Sequence, residues 1–206
     1  MFEIVKTARQ QRRFAETWEY FCALYGWYND PYAKNGIRYN LLNPNKRKIV
    51  IGTIEFIPYD PKNPNSTVEG RWAFSQYTDI RDDQERVWEI DKLCLHKDYQ
   101  RKGYFKHFWS VFYHHMCQHQ PKYYIGLMEK RLFRMMRICF GLAVEQRGES
   151  LPGQSTELVP VIFDVEQIMQ NQEAVNRFFG MSPYKSPRRN RIFLTLQPVL
   201  KKIARR

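Results

Sequence analysis

Residues 87–108 read VWEIDKLCLHKDYQRKGYFKHF. The stretch 86–96 places Val, Trp, Ile, Leu and Cys at close intervals and reads as a buried strand. Asp98-Tyr99-Gln100-Arg101-Lys102-Gly103 then forms a polar, cationic link that ends on glycine. Beyond it, Phe105, Phe108, Phe112 and Met116 recur at helical spacing over 104–119. A strand therefore feeds a tight turn that opens straight into a helix. Gly103 permits close approach of another molecule to the backbone. The helix N-terminus adds a partial positive charge, and Arg101 and Lys102 add full ones. Such a turn favours an anionic group, phosphate above all.

Working outward, Thr7 and Gln10 have capping-box spacing ahead of Phe14, Trp18, Phe21, Cys22 and Tyr25, so a helix is expected up to Gly26. Residues 27–36 read as a loop. Strands are expected over 37–42 and 48–57, joined by Asn43-Pro44-Asn45-Lys46. The proline-bearing stretch 59–67 reads as a long surface loop, and 71–83 as a short helix or irregular segment. After the 104–119 helix, Pro121 is followed by a strand over 122–128 and a basic amphipathic helix over 129–140. Two more strands are expected over 143–149 and 158–163, then a helix capped by Asp164 and ending near Gly180. Strand-helix-strand units in the second half predict parallel pairing. The fold class is α/β (α+β), a mixed twisted sheet with helices on both faces. One domain is expected over 1–180, with a basic segment over 181–206 packed on it.

The chain has 206 residues and a formal charge of +12. Lys185, Arg188, Arg189, Arg191, Lys201, Lys202, Arg205 and Arg206 supply +8 of that within 181–206, where no acid occurs. A basic surface favours anionic partners such as coenzyme A, an acidic carrier protein, anionic lipid or nucleic acid. No stretch approaches the roughly 18 to 20 apolar residues of a membrane span. Residues 1–10 lack the apolar core of a secretory signal. Cys22, Cys94, Cys117 and Cys139 are widely spaced, with no C-x-x-C pair, and read as reduced thiols in a cytoplasmic protein.

Gln100-Arg101-Lys102-Gly103 resembles the opening of the Q/R-x-x-G-x-G/A pyrophosphate loop of the GNAT superfamily of N-acetyltransferases. The segment from Leu93 to Tyr99 resembles that superfamily's fourth strand and its exit. Phe105 stands where the superfamily usually has a small residue, which is expected to crowd the loop. Trp88-Glu89-Ile90-Asp91-Lys92 resembles the E-x-S-R strand of acyl-homoserine-lactone synthases and N-acyl amino acid synthases, with Lys92 in place of Arg. Phe21 and Trp27 fall at that branch's aromatic spacing. Two departures stand against lactone synthesis from S-adenosylmethionine. Gly52-Thr53-Ile54-Glu55 reverses the charge of the branch's G-x-x-R strand, and Thr17 replaces an Arg.

The resemblance implies an N-acyltransferase that takes an acyl group from acetyl-CoA, a longer acyl-CoA or an acyl carrier protein thioester and passes it to a small-molecule amine. It implies no metal. The backbone near Leu93 and Leu95 would hold the pantetheine arm. Lys97, Gln100, Arg101, Lys102, Gly103, Tyr104 and Phe105 would bind its phosphate. Phe21, Trp27 and Lys92 would shape the acceptor site. A carboxylate on the strand can take the amine proton, with Glu89 the first candidate and Asp91 the second. Strict alternation puts both on one face, and a bulge would break that parity. Tyr184 or Tyr124 would return a proton to the leaving thiolate.

Lys130, Arg131, Arg134 and Arg137 form a basic helix face suited either to solvent or to an acidic carrier protein. His114, His115, Cys117 and His119 lack the Glu of H-E-x-x-H and a further ligand, so no metal is expected there. The apolar-basic alternation of 192–206 suits weak contact with anionic lipid. The competing reading is a binding module of degenerate acetyltransferase fold that turns its basic tail to nucleic acid. The carboxylates of the 86–96 strand favour the enzyme.

Overall fold

The computed structural model describes residues 1–46, 48–154 and 156–181. The basic segment and Tyr184 lie outside the described residues. Helix α1, Ala8–Tyr25, begins with the expected capping box, in which Thr7 Oγ1 accepts from the Gln10 amide and Gln10 Oε1 accepts from the Thr7 amide. Such a cap contributes about 1 kcal/mol. Its buried stripe is Phe14, Trp18, Phe21 and Cys22.

Seven strands form one sheet in the order β1-β2-β3-β4-β5-β7-β6. They are β1 Phe2–Ile4, β2 Ile37–Leu42, β3 Val50–Pro58, β4 Val87–Leu95, β5 Tyr123–Glu129, β6 Val144–Gln146 and β7 Leu158–Asp164. Strand β1 was not anticipated, because three residues are too few to show alternation. It is fixed by Glu3, which takes hydrogen bonds from Asn40 Nδ2 at 2.9 Å and Gln10 Nε2 at 3.3 Å and pairs with Arg13.

The parallel pairing expected of the second half occurs only between β4 and β5. Strand β7 enters between β5 and β6 and runs antiparallel to both. Its sequence Leu-Val-Pro-Val-Ile-Phe is buried from Val159 to Phe163, and such an apolar strand belongs inside a sheet rather than at an edge.

Helices cover both faces. Helix α3, Lys106–His119, and α4, Lys130–Phe140, cover one face over a core that includes Phe56, Phe108, Phe112, Tyr124 and Phe163. Helix α1 packs on the opposite face near Cys94. The rest of that face is covered by residues 59–83, through Tyr59, Val68, Phe74 and Ile80 against Val87, Ile125 and Ile162. This segment contains the short helix α2, Thr78–Asp82. The single terminal helix expected after Asp164 is broken at Asn171 into α5, Val165–Gln170, and α6, Gln172–Phe178. No described helix is long and apolar enough to cross a membrane.

Candidate active site

Two irregularities in β4 make the site. First, β4 pairs with β5 only at Val87–Tyr123, Trp88–Tyr124 and Glu89–Ile125. Beyond Glu89 the two strands part, and the later half of β4 loses its partner on that side. Second, the β3–β4 register slips so that Thr53 faces Cys94 but Glu55 faces Asp91. The one extra residue on β4 forms a bulge at Lys92, whose φ is +50°. A non-glycine residue there costs about 1 to 2 kcal/mol.

The bulge turns Lys92 onto the face that already carries Asp91. Its ammonium lies 2.5 Å from Asp91 Oδ2 and 3.2 Å from Glu55 Oε2, and is fully buried. Burial pulls the Lys92 pKa down, but Asp91 and Glu55 outweigh it and hold the pKa above the ordinary lysine value. Glu55 is held by Arg38 as well, at 2.8 Å. The reversed charge at Glu55 thus has local cations, and Tyr32 lies against both Lys92 and Arg38. Removing one member of such a buried group leaves an unpaired charge, at about 3 to 5 kcal/mol.

A cavity of about 300 Å³ opens where β4 and β5 separate. Its aromatic wall is Trp18, Trp27 and Tyr28, and its apolar end includes Leu127, Met128, Leu132 and Leu158. Three carboxylates line it, Asp30, Asp91 and Glu129, together with Arg71 and Lys92. Trp27 Nε1 donates to Glu129 at 3.2 Å, and Trp18 Nε1 donates to Asn29 at 2.9 Å, which fixes the loop that carries Asp30. Burial pushes the Asp30 carboxyl up, and nearby Asp91 adds to the rise.

The exit of β4 forms the turn. Gln100 Nε2 donates to Leu95 O at 2.8 Å and ties the turn back to the strand. Arg101 and Gly103 have φ of +57° and +76°. Among the described residues, the backbone amides from Arg101 to Lys106 have no backbone acceptor at hydrogen-bond geometry. Arg101, Lys102 and Gly103 are exposed, and nothing lies within 4 Å of the position a Gly103 Cβ would take. Phe105 does not crowd the turn as expected. Its ring packs inward, 5.5 Å from Phe108 and 6.3 Å from Phe179.

The structure separates the two strand carboxylates. Asp91 lines the cavity with 14% of its side chain exposed. Glu89 is 1% exposed and sits in a different setting. Its Oε1 accepts from Ser66 Oγ at 2.8 Å, and its Oε2 accepts from the Thr67 amide at 2.9 Å and Thr67 Oγ1 at 2.7 Å. Burial pushes the Glu89 carboxyl up, and these hydrogen bonds only partly oppose it. Trp27, Lys92 and Leu93 line the cavity. Phe21 stands behind Trp27, with ring centroids 6.2 Å apart. Leu95 lies at the end of β4, and Lys97 is exposed beyond it. Tyr104 stacks edgewise on Tyr99 at the turn. Tyr124 is buried on the α3 face and bonded to His115 Nδ1 at 2.7 Å. Among the described residues, no group of three His, Cys, Asp or Glu side chains could hold a metal.

Sequence reasoning missed Asp30, Arg71, Glu129, Trp18 and Tyr28. Glu129 had a signal, as the last residue of the strand paired in parallel with β4. Asp30 and Arg71 come from segments with no periodicity.

No family model and no curated protein matches the sequence. Solved structures do match. FeeM, an N-acyl amino acid synthase from uncultured soil microbes, is 11% identical with a TM-score of 0.64 over 86% of this chain and 97% of that one. BjaI, a CoA-dependent acyl-homoserine lactone synthase, is 12% identical with a TM-score of 0.66 over 91% of this chain and 94% of that one. A spermidine N-acetyltransferase from Vibrio cholerae is 10% identical with a TM-score of 0.53 over 84% and 99%. At this identity the likeness shows the fold. The chain has the GNAT fold that its Gln100 to Gly103 turn implied.

Proposed function

We propose that this protein is an N-acyltransferase that moves an acyl group from a phosphopantetheine thioester to a small amine. The observation that carries this reading is the parting of β4 from β5 beside a carboxylate-lined cavity, with the open-amide turn at the end of the same strand. The residues present fit such a donor. The amides from Arg101 to Lys106, with Arg101 and Lys102, would hold the phosphate. The unpaired edge of β4 near Leu93 would hold the pantetheine arm. Leu127, Met128, Leu132 and Leu158 would surround the acyl chain.

In the transfer the amine nitrogen forms a bond to the thioester carbonyl carbon, the C–S bond breaks, one proton leaves the nitrogen and one reaches the thiolate. Asp91 would take the first proton. Lys92 holds Asp91 Oδ2, while Oδ1 takes no hydrogen bond from the described residues. Glu89, with both oxygens occupied, is the weaker candidate for this role. The spermidine acetyltransferase, FeeM and BjaI are named for reactions of this general class. A carrier protein would dock on α4, where Arg131, Arg134, Arg137 and Ile138 are exposed. The four cysteines form no disulfide, which suits a reducing, cytoplasmic setting.

The test is thiol release from acyl-CoA and from acyl carrier protein across a panel of amines, with thermal shift by each donor as a second readout. Release or stabilisation by either thioester is expected. Stabilisation by duplex DNA and by neither donor would replace the enzyme with a nucleic-acid-binding module. Reversing Arg131 and Arg134 to Glu is expected to slow the carrier-bound donor alone; equal slowing of both donors would remove the docking role of α4.

A further inference from the structure

Residues 59–77 form a long irregular segment before β4, yet it is firmly tied. Ser66 Oγ donates to Glu89 Oε1 and in turn accepts from the amides of Val68 at 3.3 Å and Glu69 at 3.1 Å. Val68 O accepts from the amides of Arg71 at 2.9 Å and Trp72 at 2.8 Å. A short relay therefore runs from the buried Glu89 carboxylate to the backbone of Arg71. The far side of the segment is held by Glu69, which accepts from the Ser75 amide at 3.0 Å and Ser75 Oγ at 2.9 Å and bonds to Tyr59. The Trp72 ring closes against Gly148, where an added Cβ would fall 2.1 Å from it.

Of the residues 59–77, Arg71 alone lines the cavity. Its guanidinium lies over the Tyr28 ring at 5.9 Å and reaches Asp30 only at 3.9 Å. Its side chain makes no hydrogen bond to the described residues and is 43% exposed. The other cavity cation, Lys92, is consumed by Asp91 and Glu55. Arg71 thus brings unspent donors in a planar fork, the geometry that meets a carboxylate with two parallel bonds. The open amides for a donor phosphate lie elsewhere, at 101–106.

We propose that Arg71 determines specificity by binding a carboxylate on the amine acceptor, and that Glu89 is the positioning residue that sets Arg71 in the cavity through Ser66 and Thr67. This rests on the acyltransferase reading for the word acceptor, but the binding can be tested without turnover. The probes are N-hexanoylglycine and N-hexanoylglycinamide, which have the form of a transfer product with and without the carboxylate. Binding is followed by tryptophan fluorescence, since Trp18 and Trp27 line the cavity.

The native protein is expected to bind the carboxylate form roughly tenfold tighter, as hydrogen bonds to charged groups are stronger. Arg71→Ala should bind both forms equally while its affinity for CoA is unchanged. Glu89→Ala, and separately Ser66→Ala with Thr67→Val, should lose the preference although Arg71 is present. Glu89→Gln should retain it, because the amide oxygen can still accept from Ser66 Oγ and Thr67 Oγ1 can turn to accept from the amide nitrogen. A merely structural role would lower stability without changing the ratio of the two affinities. Equal binding, or no binding, of the two probes by the native protein overturns the proposal. So does a preference that survives Arg71→Ala. Loss of CoA affinity in that variant would reassign Arg71 to the donor phosphate and overturn it as well. A preference that stands while no thioester reacts or binds would sink the acyltransferase reading and leave the carboxylate site in place.

Discussion

The loop that enters β4 and the turn that leaves it are built on opposite terms. Residues 59–77 tie themselves down on the buried carboxylate of Glu89 and the half-buried one of Glu69, with Trp72 Nε1 left as a buried donor without a partner among the described residues. The turn is exposed at Lys97, Asp98 and over 100–103, holds Arg101 and Gly103 at positive φ, and leaves the amides from Arg101 to Lys106 without backbone acceptors at hydrogen-bond geometry. A buried donor without an acceptor is costly, so a loop that packs must close its own hydrogen bonds. An exposed turn can hold its donors open because water serves them until a ligand does. The first design delivers a side chain to a fixed place. The second delivers the backbone itself.

If that contrast is right, the two carboxylates on β4 are unequal, since Glu89 serves the loop and Asp91 serves the cavity. The largest expected effect follows from it. Asp91→Asn should lower kcat on the order of a hundredfold or more, as loss of a general base does, with donor affinity little changed. Glu89→Gln should leave kcat and the acceptor KM within a few-fold, and Glu89→Ala should act mainly on acceptor KM. Steady-state kinetics with acyl-CoA would check both, and the reverse ranking would restore Glu89 as the base.

The same contrast explains which parts were legible in the sequence. The turn could be read because its chemistry is local: glycine, two cations and a helix start lie within one short run. Helix α1 was equally plain, since cap, stripe and stop all fall at fixed offsets. The split of Glu89 from Asp91 was not legible. It depends on Ser66 and Thr67, more than twenty residues back, and on where β5 leaves β4. The bulge at Lys92 was hidden for a related reason. Lysine carries no preference for positive φ, and what holds it there is a buried pairing with Glu55 on a neighbouring strand. Long-range pairing likewise placed β7 between β5 and β6, against the parallel order that chain alternation implied.

A middle-sized effect is expected at the open turn. Arg101→Gly removes a side chain from a left-handed backbone position, so stability should hold or rise by up to about 1 kcal/mol, the strain relieved less the added chain entropy. Affinity for acyl-CoA should nonetheless fall roughly tenfold, as a charged partner for phosphate is lost. Thermal melts with and without CoA would read both changes. A variant that lost stability and kept its CoA affinity would mean that the turn, like the loop before β4, is held for packing.

The smallest effect concerns the tie at Glu89 and is a matter of pH. Burial raises its pKa above the ordinary value of 4.5 more than its three hydrogen bonds lower it. For a carboxyl whose folded pKa is raised, the folded state holds the proton more firmly than the unfolded state does. Its contribution to stability is therefore full below the unfolded pKa and is lost as pH rises through the folded one. Glu89→Gln removes that titration and keeps an acceptor oxygen. Its melting temperature relative to the native protein should rise as pH climbs from the ordinary carboxyl value of 4.5 through the raised folded one. If the difference were flat over that range, the hydrogen bonds from Ser66 and Thr67 would balance burial fully. The loop before β4 would then be anchored on a carboxylate as comfortable inside the protein as in water, and the contrast with the open turn would be sharper still.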